Sequence, residues 1–296
     1  MAVSTFPLRQ RAEQLAATLP PLLVAAERVA ATVAQGVHGR RRVGQGETFW
    51  QFRGYHFGDQ PQSIDWRQSA KSDRVYVRQM EWEAAQSVWI WHDTSNSMNW
   101  RSTNDHPAKR ERADLLALAL AALLLRGGEH VALLGMGLRP LSGRAALGRL
   151  AAMIEASDQP ATDRPPVLPL PRDAQTVFIG DFLAPLEELD AVVRAYTEAG
   201  VRGYILQVLD VAEETLPYEG RIRFEGLEGE EPWLLSRVES VRRDYVARLS
   251  AQRQGLGAIA RSAGWSFATH RTNQPPQSAL LALYAVLAHA SGRGYR

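Results

Sequence analysis

Cysteine is absent from the 296 residues. Disulfides, zinc–thiolate sites and thiol nucleophiles are therefore excluded, and a reducing compartment is the natural expectation. Long apolar runs are also lacking. The two longest, Leu115–Leu125 and Ala279–Ala288, fall well short of the roughly 20 residues that a membrane-spanning helix needs. Met1–Gln10 has no apolar stretch of leader length. Both runs read as buried helices, and the chain reads as cytoplasmic with no membrane span. An excess of one charge is missing too: 34 Lys+Arg stand against 32 Asp+Glu, a net +2. That balance is no nucleic-acid footprint, and the basic cluster Arg40-Arg41-Arg42 reads as solvated surface. Three motifs are absent. Without G-x-x-x-x-G-K-[ST] the chain is no P-loop ATPase, and without H-E-x-x-H it is no zincin. Without G-x-S-x-G it is no α/β-hydrolase. The 7 histidines are scattered; His92 adjoins Asp93, but neighbours on a strand point to opposite faces.

What is present is an ordinary globular composition, 45% apolar and 22% charged. Residues 8–35 read as a helix broken at Pro20-Pro21. Residues 36–68 mix glycines with aromatics, among them Trp50, Tyr55 and Trp66, and read as a turn-rich module whose aromatics bury against something larger. Val75–Glu83 and Ser87–Asp93 read as strands, and the short gap at 84–86 suggests a hairpin between them. From residue 86 onward strands and helices alternate: strands at 88–92, 131–134, 177–179, 204–208 and 266–268, helices at 110–126, 145–156, 186–198, 238–261 and 278–289. Such alternation predicts an α/β fold, a mainly parallel sheet with helices on both faces. Residues 211–236 interrupt the rhythm and read as an insertion, a small hairpin or loop. The expected division is a module over 1–75 and a domain over 76–296.

The sharpest chemical signal is Asp93-Thr94-Ser95-Asn96-Ser97-Met98, placed where the first buried strand of the alternating region ends. In open parallel sheets ligands bind beyond the carboxyl ends of the strands. One carboxylate and two hydroxyls on a turn offer hard oxygen donors, suited to Mg²⁺ or Mn²⁺ rather than zinc or copper. Asp181, after the strand at 177–179, occupies the equivalent place, and Ser142, in the loop after residues 130–136, is a weaker third candidate. The plainer reading is that Asp, Ser, Thr and Asn form turns and cap helices. Asp59 and Asp65 could act as acid and base, but hydrogen bonds within a Gly-rich turn, or pairing with Arg53 or Arg67, explain them more simply.

Asp93-x-Ser95-x-Ser97 after an apolar strand resembles the metal-ion-dependent adhesion site of von Willebrand factor A domains, with Asp181 matching that site's later aspartate. Arg53/Tyr55/Gly58/Asp59, then Ile64/Asp65/Trp66, Val77/Arg78 and Asp93/Ser95/Ser97/Met98, resemble more narrowly a bacterial family known only as domain of unknown function 58. The resemblance implies a von Willebrand factor A-like fold, a bound Mg²⁺ and a MoxR-type AAA+ ATPase as partner in assembling or maturing other proteins. No threonine lies in the expected loop after Met136 to complete the site, and Ser142 is the best substitute.

Two function classes follow. The first is a metal-dependent protein-binding or adaptor module, not an enzyme, in which an acidic residue of the partner completes the metal's coordination. The second is a Mg²⁺-dependent hydrolase using Asp93 and Asp181. A hydrolase needs a positioned base, and none is evident nearby.

Overall fold

The structure is a computed structural model that describes residues 43–55, 64–71, 74–81, 87–137, 139–143, 145–156, 162–227 and 231–292. The helix expected over 8–35, the Arg40–Arg42 cluster and Asp59 lie outside the described residues. The described residues divide into two compact units, one built on residues between 43 and 81 and the other on residues between 87 and 290.

In the smaller unit, β1 (Val43–Gly54) pairs antiparallel with β2 (Tyr76–Glu81), with register shifts near its start. The suggested hairpin between β2 and the strand at 87 does not form; β2 belongs to β1 and the next strand to a separate sheet. Between β1 and β2 in the chain lies α1, the single turn Trp66–Ser69. Asp65 caps it, its Oδ1 accepting from Gln68 N at 2.8 Å, which bears out the plain reading of that carboxylate. The expected burial of Trp66 is wrong: it is 68% exposed. A one-turn helix with no buried residue cannot turn an inner face toward a core.

The larger unit is built on five parallel strands, β3 (Ser87–His92), β4 (His130–Leu133), β5 (Gln175–Gly180), β6 (Arg202–Leu209) and β9 (Ser266–Arg271). Their order in the sheet is β4-β3-β5-β6-β9. All five stretches expected as strands are therefore neighbours in one sheet. Side chains alternate across it. Val88, Ile90, Val177, Ile179, Leu206 and Val208 enter one core with α2 (Lys109–Arg126), α3 (Ala146–Glu155) and α7 (Pro276–Gly292). Trp91, Phe178 and Ile205 enter a second core with α4 (Leu186–Glu198) and α6 (Glu239–Ser262). Helices thus cover both faces. The segment Leu115–Leu124 of α2 is buried throughout, the pattern of a helix enclosed by other elements. Gly203 is needed on β6, because a Cβ there would sit 2.2 Å from the Trp265 ring.

The interruption at 211–236 is α5 (Val211–Thr215) followed by the small hairpin of β7 (Ile222–Phe224) and β8 (Trp233–Leu235). Glu214 of α5 pairs with both Arg253 and Arg271, tying the short helix to α6 and β9. Among the described residues no helix is long and apolar enough to cross a membrane.

Candidate functional site

Three strands of the sheet end in a buried aspartate: β3 in Asp93, β5 in Asp181 and β6 in Asp210. Parallel register carries the first two to the same edge. His92 lies opposite Ile179, and Asp93 N donates to Ile179 O at 2.8 Å. Gly180 makes this approach possible, since a Cβ there would stand 2.8 Å from Asp93 Cβ and 3.0 Å from Oδ2.

The chain then turns through Thr94 and Ser95 into a 3₁₀ turn, Asn96–Asn99. Asp93 Oδ1 accepts from Ser95 N at 2.8 Å and from Ser95 Oγ at 2.5 Å. Ser95 Oγ lies 3.0 Å from Ser97 Oγ, and Ser97 Oγ donates to Asp181 Oδ2 at 2.7 Å. Four of the five residues expected at the site therefore form one continuous run of oxygens. Asp181 is further held by its backbone, its O accepting from Gln207 Nε2 at 3.0 Å. The next residue, Phe182, has φ 50°, a left-handed conformation that turns the chain away and leaves Leu183 47% exposed. Asp93, Ser95 and Asp181 are buried, whereas Asn96 is exposed and Ser97 half-buried, so the run opens to solvent at the 3₁₀ turn.

Ser142 does not join them. Leu141 folds back on β4, exchanging hydrogen bonds of 2.8 and 2.9 Å with Val131. Val131 is level with Val88, near the opposite end of β3 from Asp93, and Ser142 is exposed there. A different hydroxyl residue reaches the turn. Thr162 N donates to Thr94 Oγ1 at 3.1 Å, and Thr94 N to Thr162 O at 3.2 Å. His92 points to the α2 side, with Nδ1 2.9 Å from Asp114 Oδ1, and takes no part in the run.

Two charged residues that the sequence reading missed adjoin the site. Lys109, at the start of α2, is 1% exposed. Its Nζ lies 2.8 Å from Asp181 Oδ2 and 2.5 Å from Glu213 Oε1. Burial alone would push the Lys109 ammonium down, but the two carboxylates hold it above the usual lysine range. Glu213 is raised by burial against the opposing pull of Lys109. Its other oxygen accepts from Asp210 N at 2.8 Å, closing a capping box at α5. One clue in the sequence could have exposed Lys109: a cation in the first turn of a helix opposes the helix dipole and calls for a local anion.

Burial, and then the charge of Asp181, push Asp93 up from 3.8 to about 7 against the pull of the Ser95 hydrogen bonds and Lys109. Among the described residues, Asp93 Oδ2 is buried without a hydrogen-bond partner. An orphaned carboxylate oxygen beside a run of oxygens calls for a positive charge. Oxygens around octahedral Mg²⁺, at about 2.0–2.1 Å from the ion, lie about 3 Å from their neighbours, close to the 2.5–3.0 Å spacings found. The residues present fit a hard divalent cation on both counts. The groups that could hold it are two carboxylates and two hydroxyls; among the described residues no three His, Cys, Asp or Glu side chains converge as a metal-binding group.

Comparison with known proteins gives a family match. The model of the family described as "Protein of unknown function DUF58" matches residues 51–255. Two relatives described as uncharacterized proteins, Mb1516 of Mycobacterium bovis and Rv1480 of Mycobacterium tuberculosis, are each 24% identical over 290 residues. Each alignment covers 88% of this chain and 86% of the relative. Among solved structures, the conserved hypothetical protein BatB from Bacteroides thetaiotaomicron is similar with a TM-score of 0.40 at 15% identity, over 70% of this chain and 98% of that one. An aerotolerance-related membrane protein from Bacteroides fragilis is similar with a TM-score of 0.39 at 16% identity, over 67% and 96%.

Proposed function

This chain belongs to the DUF58 family, and on that footing we propose that it is a binding module whose Asp93–Ser97 turn and Asp181 hold Mg²⁺ or Mn²⁺ and, through it, a carboxylate of a partner protein. The larger unit is then a von Willebrand factor A-like domain. The observation that carries this reading is the run of oxygens from Asp93 Oδ1 through Ser95 and Ser97 to Asp181 Oδ2, at the carboxyl ends of adjacent parallel strands, where open α/β sheets bind ligands.

The cation would supply an electrophilic coordination point for an anionic group. The chain's own residues do the rest. Asp93 and Asp181 place two carboxylates at the buried end, and Ser95 and Ser97 add neutral donors toward solvent. Lys109 already balances part of the carboxylate charge, so the site retains pull on an incoming anion. Thr162, which reaches the turn at Thr94, is the neutral donor we assign in place of Ser142. The partner we infer is a MoxR-type AAA+ ATPase, through which the pair would assemble or mature other proteins; its nucleotide cycle would supply work that a chain without a phosphate-binding loop cannot.

One feature favours the hydrolase alternative: burial and then the Asp181 charge push Asp93 up to about 7, where a general base is useful. An adjacent divalent cation reverses that shift by favouring the charged form, so ligand and base are competing roles for one carboxylate. We therefore keep the binding reading.

The test is a pull-down of the purified chain with its cognate MoxR-type ATPase, in Mg²⁺ and in EDTA, with wild type and Asp93→Ala. Binding that requires Mg²⁺ and Asp93 is the expected result. A complex unchanged by both treatments removes the cation from recognition, and Asp93-dependent hydrolysis of phosphate esters by the chain alone establishes the enzyme alternative.

A further inference from the structure

Lys109 is the least expected residue of the larger unit. It stands in the first turn of α2, against the helix dipole, and is almost wholly buried. Its ammonium touches Asp181 Oδ2 at 2.8 Å, and that same oxygen accepts from Ser97 Oγ at 2.7 Å. Oδ2 is therefore the end of the oxygen run and the seat of a built-in cation at once. Its second neighbour is Glu213 Oε1, at 2.5 Å. Glu213 is not free to follow Lys109 elsewhere, because its Oε2 takes the Asp210 backbone N–H in the capping box of α5.

We propose that Lys109 is a positioning residue that competes with a divalent cation for Asp181 Oδ2, and that Glu213 is the fixed carboxylate that keeps its charge matched when the cation takes that oxygen. Two positive charges cannot share one carboxylate oxygen at close range without strong repulsion. A lysine with Asp181 as its only anion would hold it and exclude the cation. With Glu213 already in place, release of Asp181 leaves the ammonium paired and the surroundings intact. The ratio of the two contacts then sets the affinity of the site for a cation, and Glu213 sets that ratio from outside the oxygen run. This inference rests on the cation reading above.

Mn²⁺ binding to the full chain, followed by electron paramagnetic resonance and calorimetry at pH 8, tests it, with circular dichroism confirming the fold of each variant. Lys109→Met should tighten Mn²⁺ by about tenfold or more, and Glu213→Gln, which leaves Lys109 to Asp181 alone, should weaken it by about tenfold. A merely structural role would not move the two affinities in opposite directions. If Lys109→Met does not fold, Glu213→Gln decides: an affinity equal to or tighter than wild type overturns the competition. If the wild type binds Mn²⁺ in an Asp93-dependent way and both variants match it, the cation reading stands and the competition falls. If neither folded wild type nor folded Lys109→Met binds Mn²⁺, the cation reading falls and the inference with it.

Discussion

Asn in place of Asp93 isolates the cost of holding a carboxylate inside the protein. Asp93 is fully buried, and burial followed by the Asp181 charge raises it from 3.8 to about 7. The folded value exceeds the unfolded one, so the native state binds the extra proton. The stability from that proton is fully present below pH about 4 and is lost as pH rises through about 7. A shift of about three units at about 1.4 kcal/mol each sets an upper bound of about 4 kcal/mol. Asn keeps the acceptor for Ser95 N and Oγ but puts an amide where Oδ2 has no partner among the described residues, which costs about 1–3 kcal/mol of the gain. The expected net is about 1–3 kcal/mol of added stability above pH 7 in EDTA, or roughly 2–10 °C in Tm for a unit of this size. Urea unfolding of both proteins from pH 4.5 to 8.5 gives the difference curve. His270, lowered to about 4 by burial and by Arg112, acts with the opposite sign: its contribution is present above about 6.5 and is lost as pH falls through about 4. It is common to both proteins and cancels. Excess Mg²⁺ should then stabilise wild type and leave Asp93→Asn unmoved. A difference curve flat from pH 5 to 8, or a variant less stable than wild type at pH 8, would refute the reasoning.

Other substitutions test other parts of the structure. Gly180→Ala drives a methyl into Asp93 and should weaken Mn²⁺ binding measured by calorimetry; unchanged affinity would mean that the strand ends do not need their close approach. Gly203→Ala meets the Trp265 ring and should lose about 1–3 kcal/mol in urea unfolding through overpacking. Trp66→Ala removes an exposed side chain and should cost within about 0.5 kcal/mol; a loss above 2 kcal/mol would show that the indole is covered in solution.

Most of the larger unit was legible in its sequence because parallel strands covered on both faces read as short apolar runs, and the runs at Val88, Val131, Val177, Tyr204 and Ser266 are separated by stretches of helical period. The oxygen run was legible for a related reason: an aspartate just beyond such a run sits at a strand's carboxyl end, and two adjacent strands bring Asp93 and Asp181 together. What could not be read was direction and depth. The loop after β4 folds back to Val131, which no periodicity announces, and so Ser142 lies at the far end of the strands from Asp93. Thr162 lies in a Pro-rich stretch that reads as surface. Lys109 reads as a solvated lysine until Asp181 and Glu213, 72 and 104 residues away in sequence, close over it. Trp66 failed in the opposite sense, since a large aromatic usually seeks a core and this one sits on a single helical turn.

The order β4-β3-β5-β6-β9 also bears on how the chain reaches its native state. Every pairing in this sheet is parallel and spans a helical crossover, so loop closure precedes any reward in contacts, which slows folding. Ser97 and Asp181 meet across 84 residues, and they meet only once β3 and β5 have aligned. A cation that needs both finds its full set of donors only on a completed sheet. It could not template collapse, but it could trap the finished product, with a stabilisation that grows as the logarithm of its concentration over Kd. Divalent cation should therefore slow unfolding and leave the rate of refolding unchanged.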